Sequence, residues 1–216
     1  MKSSFQIAIF FFIVFVFNTS SLFAQDNIGT ERPTVSTSSH TIAKNSFQFE
    51  QGFTYMDNDL LYDGLFRLAV SERGEIRLLT AYEDNSTYWG AKVNFLKQSD
   101  YKPGISAQAT FGGFSNLSDF RVSWAQKITD NISSTFNVGK NTNYYVVLAV
   151  GYNFNEKTNA FVEGYYDDQL QQFDAGVTYL INSETQVDLS GGIMTGGVAY
   201  VSVGVARRFL FRNSEE

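Results

Sequence analysis

Period-2 alternation sustained over stretches of about ten residues is the feature that most limits what this chain can become. It is clearest in Gln171–Ile193. Phe173, Ala175, Val177, Tyr179 and Ile181 fall on one side, and Asp174, Gly176 and Thr178 on the other. After Asn182-Ser183-Glu184-Thr185 the alternation resumes, with Val187, Leu189, Gly191 and Ile193 opposite Gln186, Asp188, Ser190 and Gly192. A strand with that pattern carries one apolar and one polar face, so this stretch reads as a hairpin closed by a tight polar turn.

The same pattern recurs along the chain. Strands are predicted at Ser46–Met56, Leu60–Val70, Glu75–Tyr82, Ser86–Leu96, Ile105–Phe111, Phe120–Ile128, Ile132–Lys140, Tyr144–Phe154, Asn159–Tyr166 and Ala199–Phe211, besides the two of the hairpin. Gln51 interrupts the apolar side of the first. The sum is about twelve antiparallel strands of roughly ten residues, the length at which a tilted strand crosses a bilayer. An even number leaves both ends of this region on one side, expected to be periplasmic. The expected fold is all-β, an up-and-down transmembrane β-barrel over 46–211, because only a closed sheet leaves no unpaired edge in lipid. A soluble up-and-down barrel with its apolar face inward is the rival. It would be over-sized for a packed core and would turn Glu50, Arg67, Lys92, Asp174 and Asp188 to water.

Outside those strands the chain changes character. Ile7–Phe17 is unbroken apolar after a single Lys2, and Leu22-Phe23-Ala24 follows a short polar stretch. That order predicts a signal peptide over 1–24, since the apolar run is too short to span. Gln25–Asn45 is polar, Ser/Thr-rich and without periodicity. It is expected as an irregular periplasmic N-terminal segment, with 212–216 a short tail. Aromatics gather near strand ends in two belts, as lipid interfaces favour. Tyr55, Tyr62, Tyr82, Trp89, Phe120, Tyr144 and Phe173 form one; Phe47, Phe95, Phe154, Tyr179, Phe209 and Phe211 form the other. There is no Cys, and the net charge is −6, so neither a thiolate metal site nor a nucleic-acid partner is expected.

Certain motifs are familiar. Thr30-Glu31-Arg32-Pro33, a Ser/Thr stretch, and Gln48-Phe49-Glu50-Gln51-Gly52 follow one another. Further on come Leu65-Phe66-Arg67, Glu75-Ile76-Arg77-Leu78, Trp89-Gly90-Ala91-Lys92 and Asp174-Ala175-Gly176-Val177-Thr178-Tyr179-Leu180. In this the chain resembles a bacterial outer-membrane transporter family named for the MetA pathway of phenol degradation. Glu31 stands where that family has Asp, and Ile42-Ala43-Lys44-Asn45 where it has Val-Pro-Lys-Gly. The resemblance implies a channel for small solutes, hydrophobic or aromatic ones among them, in the outer membrane.

Strand parity puts a set of charges on the inner face. Glu50, Arg67, Arg77, Lys92, Glu163, Asp174 and Asp188 are the expected pore-lining residues, and Asp63, Glu75, Arg121 and Lys127 share their parity. One wall would be mainly basic and the adjoining arc mainly acidic, so Asp174 and Asp188 would look across a lumen at Arg67 and Arg77. Two readings stay open: a charged constriction that orients passing solutes, or ion pairs that fill the lumen of a structural or adhesive barrel. Glu31 and Arg32, ahead of the first strand, could reach the periplasmic mouth and partly plug it; a flexible lead-in is the alternative. Acidic residues at the outer turns, such as Asp57, Asp59, Glu83, Asp84, Asp119, Asp167 and Asp168, read as a solvated loop surface.

Catalysis finds little support. The single His, His40, precedes the strands, whereas a Ser–His hydrolase would need it on the barrel wall. The expected partners are outer-membrane lipid and a small-molecule solute, with no cofactor and no metal. Oligomeric state and substrate stay open.

Overall fold

Alternation at these lengths produces twelve strands: β1 (Ser46–Met56), β2 (Asp59–Ser71), β3 (Gly74–Ala81), β4 (Ser86–Leu96), β5 (Gly104–Gly112), β6 (Asn116–Lys127), β7 (Ile132–Lys140), β8 (Tyr144–Asn153), β9 (Thr158–Asp167), β10 (Gln171–Asn182), β11 (Thr185–Met194) and β12 (Val198–Leu210). Each pairs antiparallel with its sequence neighbours, and β1 pairs with β12, which closes the barrel. The structure is a computed structural model that describes residues 27–81, 86–100, 102–112 and 116–211. The expected signal peptide, the tail and the Glu83-Asp84 turn therefore lie outside the described residues.

The polarity of the two faces fixes which way the barrel is turned. Along β8, Val146, Leu148 and Val150 are exposed, and so are Val177, Tyr179 and Ile181 of β10 and Val201 and Val203 of β12. The buried side chains are instead mostly polar or ionic: Gln48, Glu50, Arg67, Glu75, Arg77, Lys92, Asn137, Glu163 and Asp174 are all nearly inaccessible. An apolar exterior around a polar interior is the inverse of a soluble barrel and suits one standing in lipid. Gln51, which breaks the apolar stripe of β1, turns its amide onto the backbone carbonyls of Gly52 and Asp63 and so presents little free polarity outward. Tyr55, Trp89, Phe120, Tyr144 and Phe173 are exposed toward one end of the barrel, Phe95, Phe154, Tyr179 and Phe211 toward the other.

Leu148 lies mid-strand on this outer face, more than half exposed. Replacing it by Arg should destabilise the barrel by about 2–4 kcal/mol, as for a cation at the bilayer midplane. Folding into lipid vesicles measured against urea checks this; unchanged stability would mean the face does not meet lipid.

One detail of the barrel differs from the sequence expectation. β6 begins at Asn116, four residues before Phe120, because Asn116 and Leu117 pair with Gly112 and Phe111 across a register shift at Thr110/Phe111. The bulge breaks the alternation that would have shown the strand. Asp57 and Asn58 form a two-residue hairpin in which both residues take positive φ, 50° and 67°, as such a turn needs.

Candidate functional site

The largest departure lies ahead of β1. Residues 27–45 do not stay outside the barrel; they run through its lumen. The segment starts at the end where β1 begins and β12 finishes, with the Ile28 amide donating to the Ser183 carbonyl in the β10–β11 turn. It rises to mid-barrel at Glu31 and Arg32, crosses to β9, β7 and β6, and returns along β4 and β3. Ile28, Glu31, Ser36, Thr37, Ser39 and Ile42 are all buried.

Two neighbouring side chains fasten it. Alternation in an extended segment sends consecutive side chains to opposite sides, so Glu31 and Arg32 reach different sectors of the wall. Glu31 enters the basic sector, 2.7 Å from Lys92 Nζ, 3.3 Å from an Arg77 nitrogen and 3.7 Å from an Arg67 nitrogen. Arg67 is held in addition by Glu50 at 3.1 Å and Glu75 at 2.9 Å. Three cations thus meet three carboxylates, one of which comes from the segment. Burial alone would raise the Glu31 carboxyl, but the charges of Lys92, Arg77 and Arg67 outweigh it and hold the group well below the usual carboxylate range.

Arg32 enters the acidic sector. Its guanidinium donates to both oxygens of Asp63 at 2.9 Å and to Ser202 Oγ at 2.8 Å, and lies 3.5 Å from Asp188. The floor of this cradle is two glycines. Gly52 and Gly204 are directly opposite in the β1–β12 ladder; Asp63 is the β2 neighbour of Gly52, and Asp188 the β11 neighbour of Gly204. Carboxylate, glycine, glycine, carboxylate thus stand in one row over four strands. A Cβ on Gly52 would overlap the guanidinium and Asp63, and one on Gly204 would overlap Arg32 Nε and both Asp188 oxygens. Gly204→Ala should therefore displace Arg32 from Asp188 and loosen the docked segment. Limited proteolysis within 27–45 would report it, with Gly164→Ala as control, because a Cβ there meets nothing within 4 Å.

The wall also binds the main chain of the segment. Glu50 accepts from the amides of both Glu31 and Arg32, at 2.9 and 3.0 Å. Glu163 accepts from Val35 and Ser36, at 2.6 and 2.8 Å, and Glu75 from Ile42 at 2.8 Å. Asn137 pairs with Thr37 through both amide and carbonyl, at 2.7 and 2.9 Å, while Asn94, Arg121 and Gln48 donate to the carbonyls of Ser39, Val35 and Gly29. Val35 packs on the small apolar patch of Tyr145, Val147 and Tyr165.

All seven expected lining residues face inward, yet their partners differ from expectation. Asp188 meets Arg32 and does not look across open space at Arg67 and Arg77. Asp174 accepts from Gln172 at 2.8 Å on its own strand. Lys127, of inward parity, sits exposed at the strand end and pairs with Asp130. Asp119, expected in an outer turn, is in β6 and accepts from Tyr145 and Arg121. His40 is exposed. The residues that a search for charges misses are the neutral ones, Gln48, Asn94, Ser123 and Asn137; strand parity alone would have placed them inward.

Space is left on either side of the segment. A cavity of about 690 Å3 is lined by Ser133, Thr135, Asn153, Asn159 and Thr178 and reaches turn residues Asn131 and Lys157 at the end where the segment enters. Two others, of about 360 and 220 Å3, lie toward the opposite end, beside Leu79 and Tyr88 and beside Met56 and Met194. Arg32 and Pro33 border all three.

No family model and no curated protein matches the sequence. Solved structures do match by shape. The KdgM porin superposes with a TM-score of 0.63 at 12% identity, over 75% of this chain and 99% of that one. The COG4313 outer membrane channel from Pseudomonas putida F1 gives 0.55 at 9%, over 79% and 98%, and the Acinetobacter baumannii outer membrane protein Omp33 gives 0.54 at 10%, over 77% and 99%. At such identities the likeness is one of fold. The closed barrel with its apolar outer band is an outer-membrane β-barrel, of the architecture used by these channels. The narrower likeness to the phenol-pathway family rests on the short motifs alone.

Proposed function

We propose that this barrel is an outer-membrane channel for small solutes and that the segment 27–45 is its plug. The observation that supports the reading is that cavities toward opposite ends of the barrel all border Arg32 and Pro33 of the segment, as they would if the segment stood between them. Ser, Thr and Asn side chains line the largest cavity. That lining suits polar solutes better than the hydrophobic or aromatic ones the resemblance implies. One protein of like fold is a porin in complex with disordered oligogalacturonate, which agrees with passage of such solutes.

The competing reading, a structural barrel with a filled lumen, draws on the same ion pairs, since buried pairs can serve packing as well as permeation. Swelling of liposomes in sugars separates the two. Vesicles holding the intact chain should swell slowly and those holding Glu31→Ala quickly, with small aromatics no faster than sugars of similar size. No swelling with either protein would leave the filled barrel.

A further inference from the structure

The segment is bound as a ligand is bound. Its docking uses carboxyl oxygens of the wall on main-chain amides, paired amide and carbonyl contacts at Thr37, and two side chains of opposite charge in separate pockets. Within the barrel such contacts could have been made between wall residues. Here Glu50 and Glu163 each take two consecutive backbone amides of an irregular chain, which is recognition of peptide and not of a particular side chain.

Removing the segment leaves a defined imprint. Around the Glu31 position, Arg67, Arg77 and Lys92 would face only Glu50 and Glu75, one positive charge in excess. Around the Arg32 position, Asp63 and Asp188 would face no guanidinium across the glycine floor. These pockets are one residue apart along an extended chain, with Glu50 between them to accept the two amides. A buried charge without its partner is costly, so the empty wall favours whatever restores both.

We propose that the lumen wall is a binding site for an extended peptide in which an acidic residue immediately precedes an arginine, occupied in the intact protein by its own segment. This deepens the channel reading by naming peptides as a class the open lumen holds. The order of the two residues matters, because reversing them sets a carboxylate against Asp63 and Asp188 and a guanidinium against Arg67, Arg77 and Lys92. The tether also explains why free peptide would not displace the segment: a linked ligand acts at an effective concentration of about millimolar.

The test uses a barrel lacking residues 25–41 in detergent micelles, with a fluorescent peptide of residues 27–41 and its counterpart with Glu31 and Arg32 exchanged. Anisotropy should show the native peptide bound and the exchanged one about thirtyfold weaker or worse, since each misplaced charge is desolvated without a partner. The intact chain should bind neither at micromolar peptide. If the shortened barrel does not fold, the full chain with a protease site at 43–45, cut after folding, provides the same lumen, and the labelled peptide should exchange with the freed segment. Equal binding of the two peptides, or no binding of the native one to a folded barrel, overturns the inference. Because the readout is binding, a barrel that takes the peptide yet conducts nothing would refute the channel and leave the peptide site standing.

Discussion

Glu31→Ala should release residues 27–45 from the lumen while leaving the barrel folded. The carboxylate is nearly inaccessible and is the one carboxylate that the segment adds to a cluster of Arg67, Arg77, Lys92, Glu50 and Glu75. Its loss leaves three buried cations with two carboxylates, and Lys92, fully buried, loses the carboxylate 2.7 Å from its Nζ. Breaking a buried pair on one side costs about 3–5 kcal/mol. The twelve-strand ladder does not depend on that contact, so the cost falls on docking.

Amide hydrogen exchange reads this directly. Residues 31, 32, 35, 36, 37 and 42, whose amides are held by wall side chains, should exchange about 100- to 5,000-fold faster, the ratio that this free energy corresponds to. Strand amides should not change. Glu31→Gln should behave as Glu31→Ala does, because charge and not shape is what the cluster lacks. Unchanged protection of the segment in Glu31→Ala would show that the ion cluster does not hold it.

The pH dependence has a definite sign. The docked Glu31 carboxyl lies below its ordinary range, and a carboxyl depressed in the bound state lends stability above its ordinary pKa that is lost as pH falls through the bound value. The Glu31 contribution to segment protection should therefore persist through mildly acidic pH and be lost in strong acid.

Much of the barrel was legible because its physics is local. Alternation in Ser46–Met56, Ser86–Leu96 and Ile132–Lys140 sets both the strands and their ends, and the lipid-facing stripe of Phe173 to Ile181 follows from the same period. Parity likewise turned Glu50, Arg67, Arg77, Lys92, Glu163, Asp174 and Asp188 inward. What parity does not hold is who meets whom across the lumen. The partner of Asp188 comes from a segment with no period of its own, whose Ser/Thr-rich composition suits a linker outside the barrel as well as a chain inside it. The arginine cradle is hidden for a similar reason. Gly52 and Gly204 read singly as weak points in two strands, and become a site only once closure of β1 on β12 sets them side by side. Asn137, neutral and mid-strand, carries no charge to mark it, yet it holds both backbone polar groups of Thr37.

Single-channel recording in planar bilayers, comparing the intact chain with one lacking residues 25–41, tests the central claim most directly. Arg32 and Pro33 of the segment border all three cavities, so a plug withdrawn from there should leave them connected. The shortened barrel should conduct about fivefold more or better, since pore width and lining set passage. Its openings should be blocked from the side of the β10–β11 turn, where the segment enters, by added peptide of residues 27–41. Equal conductance of the two chains would contradict a plug, and a shortened, folded barrel that conducts nothing would contradict the channel itself.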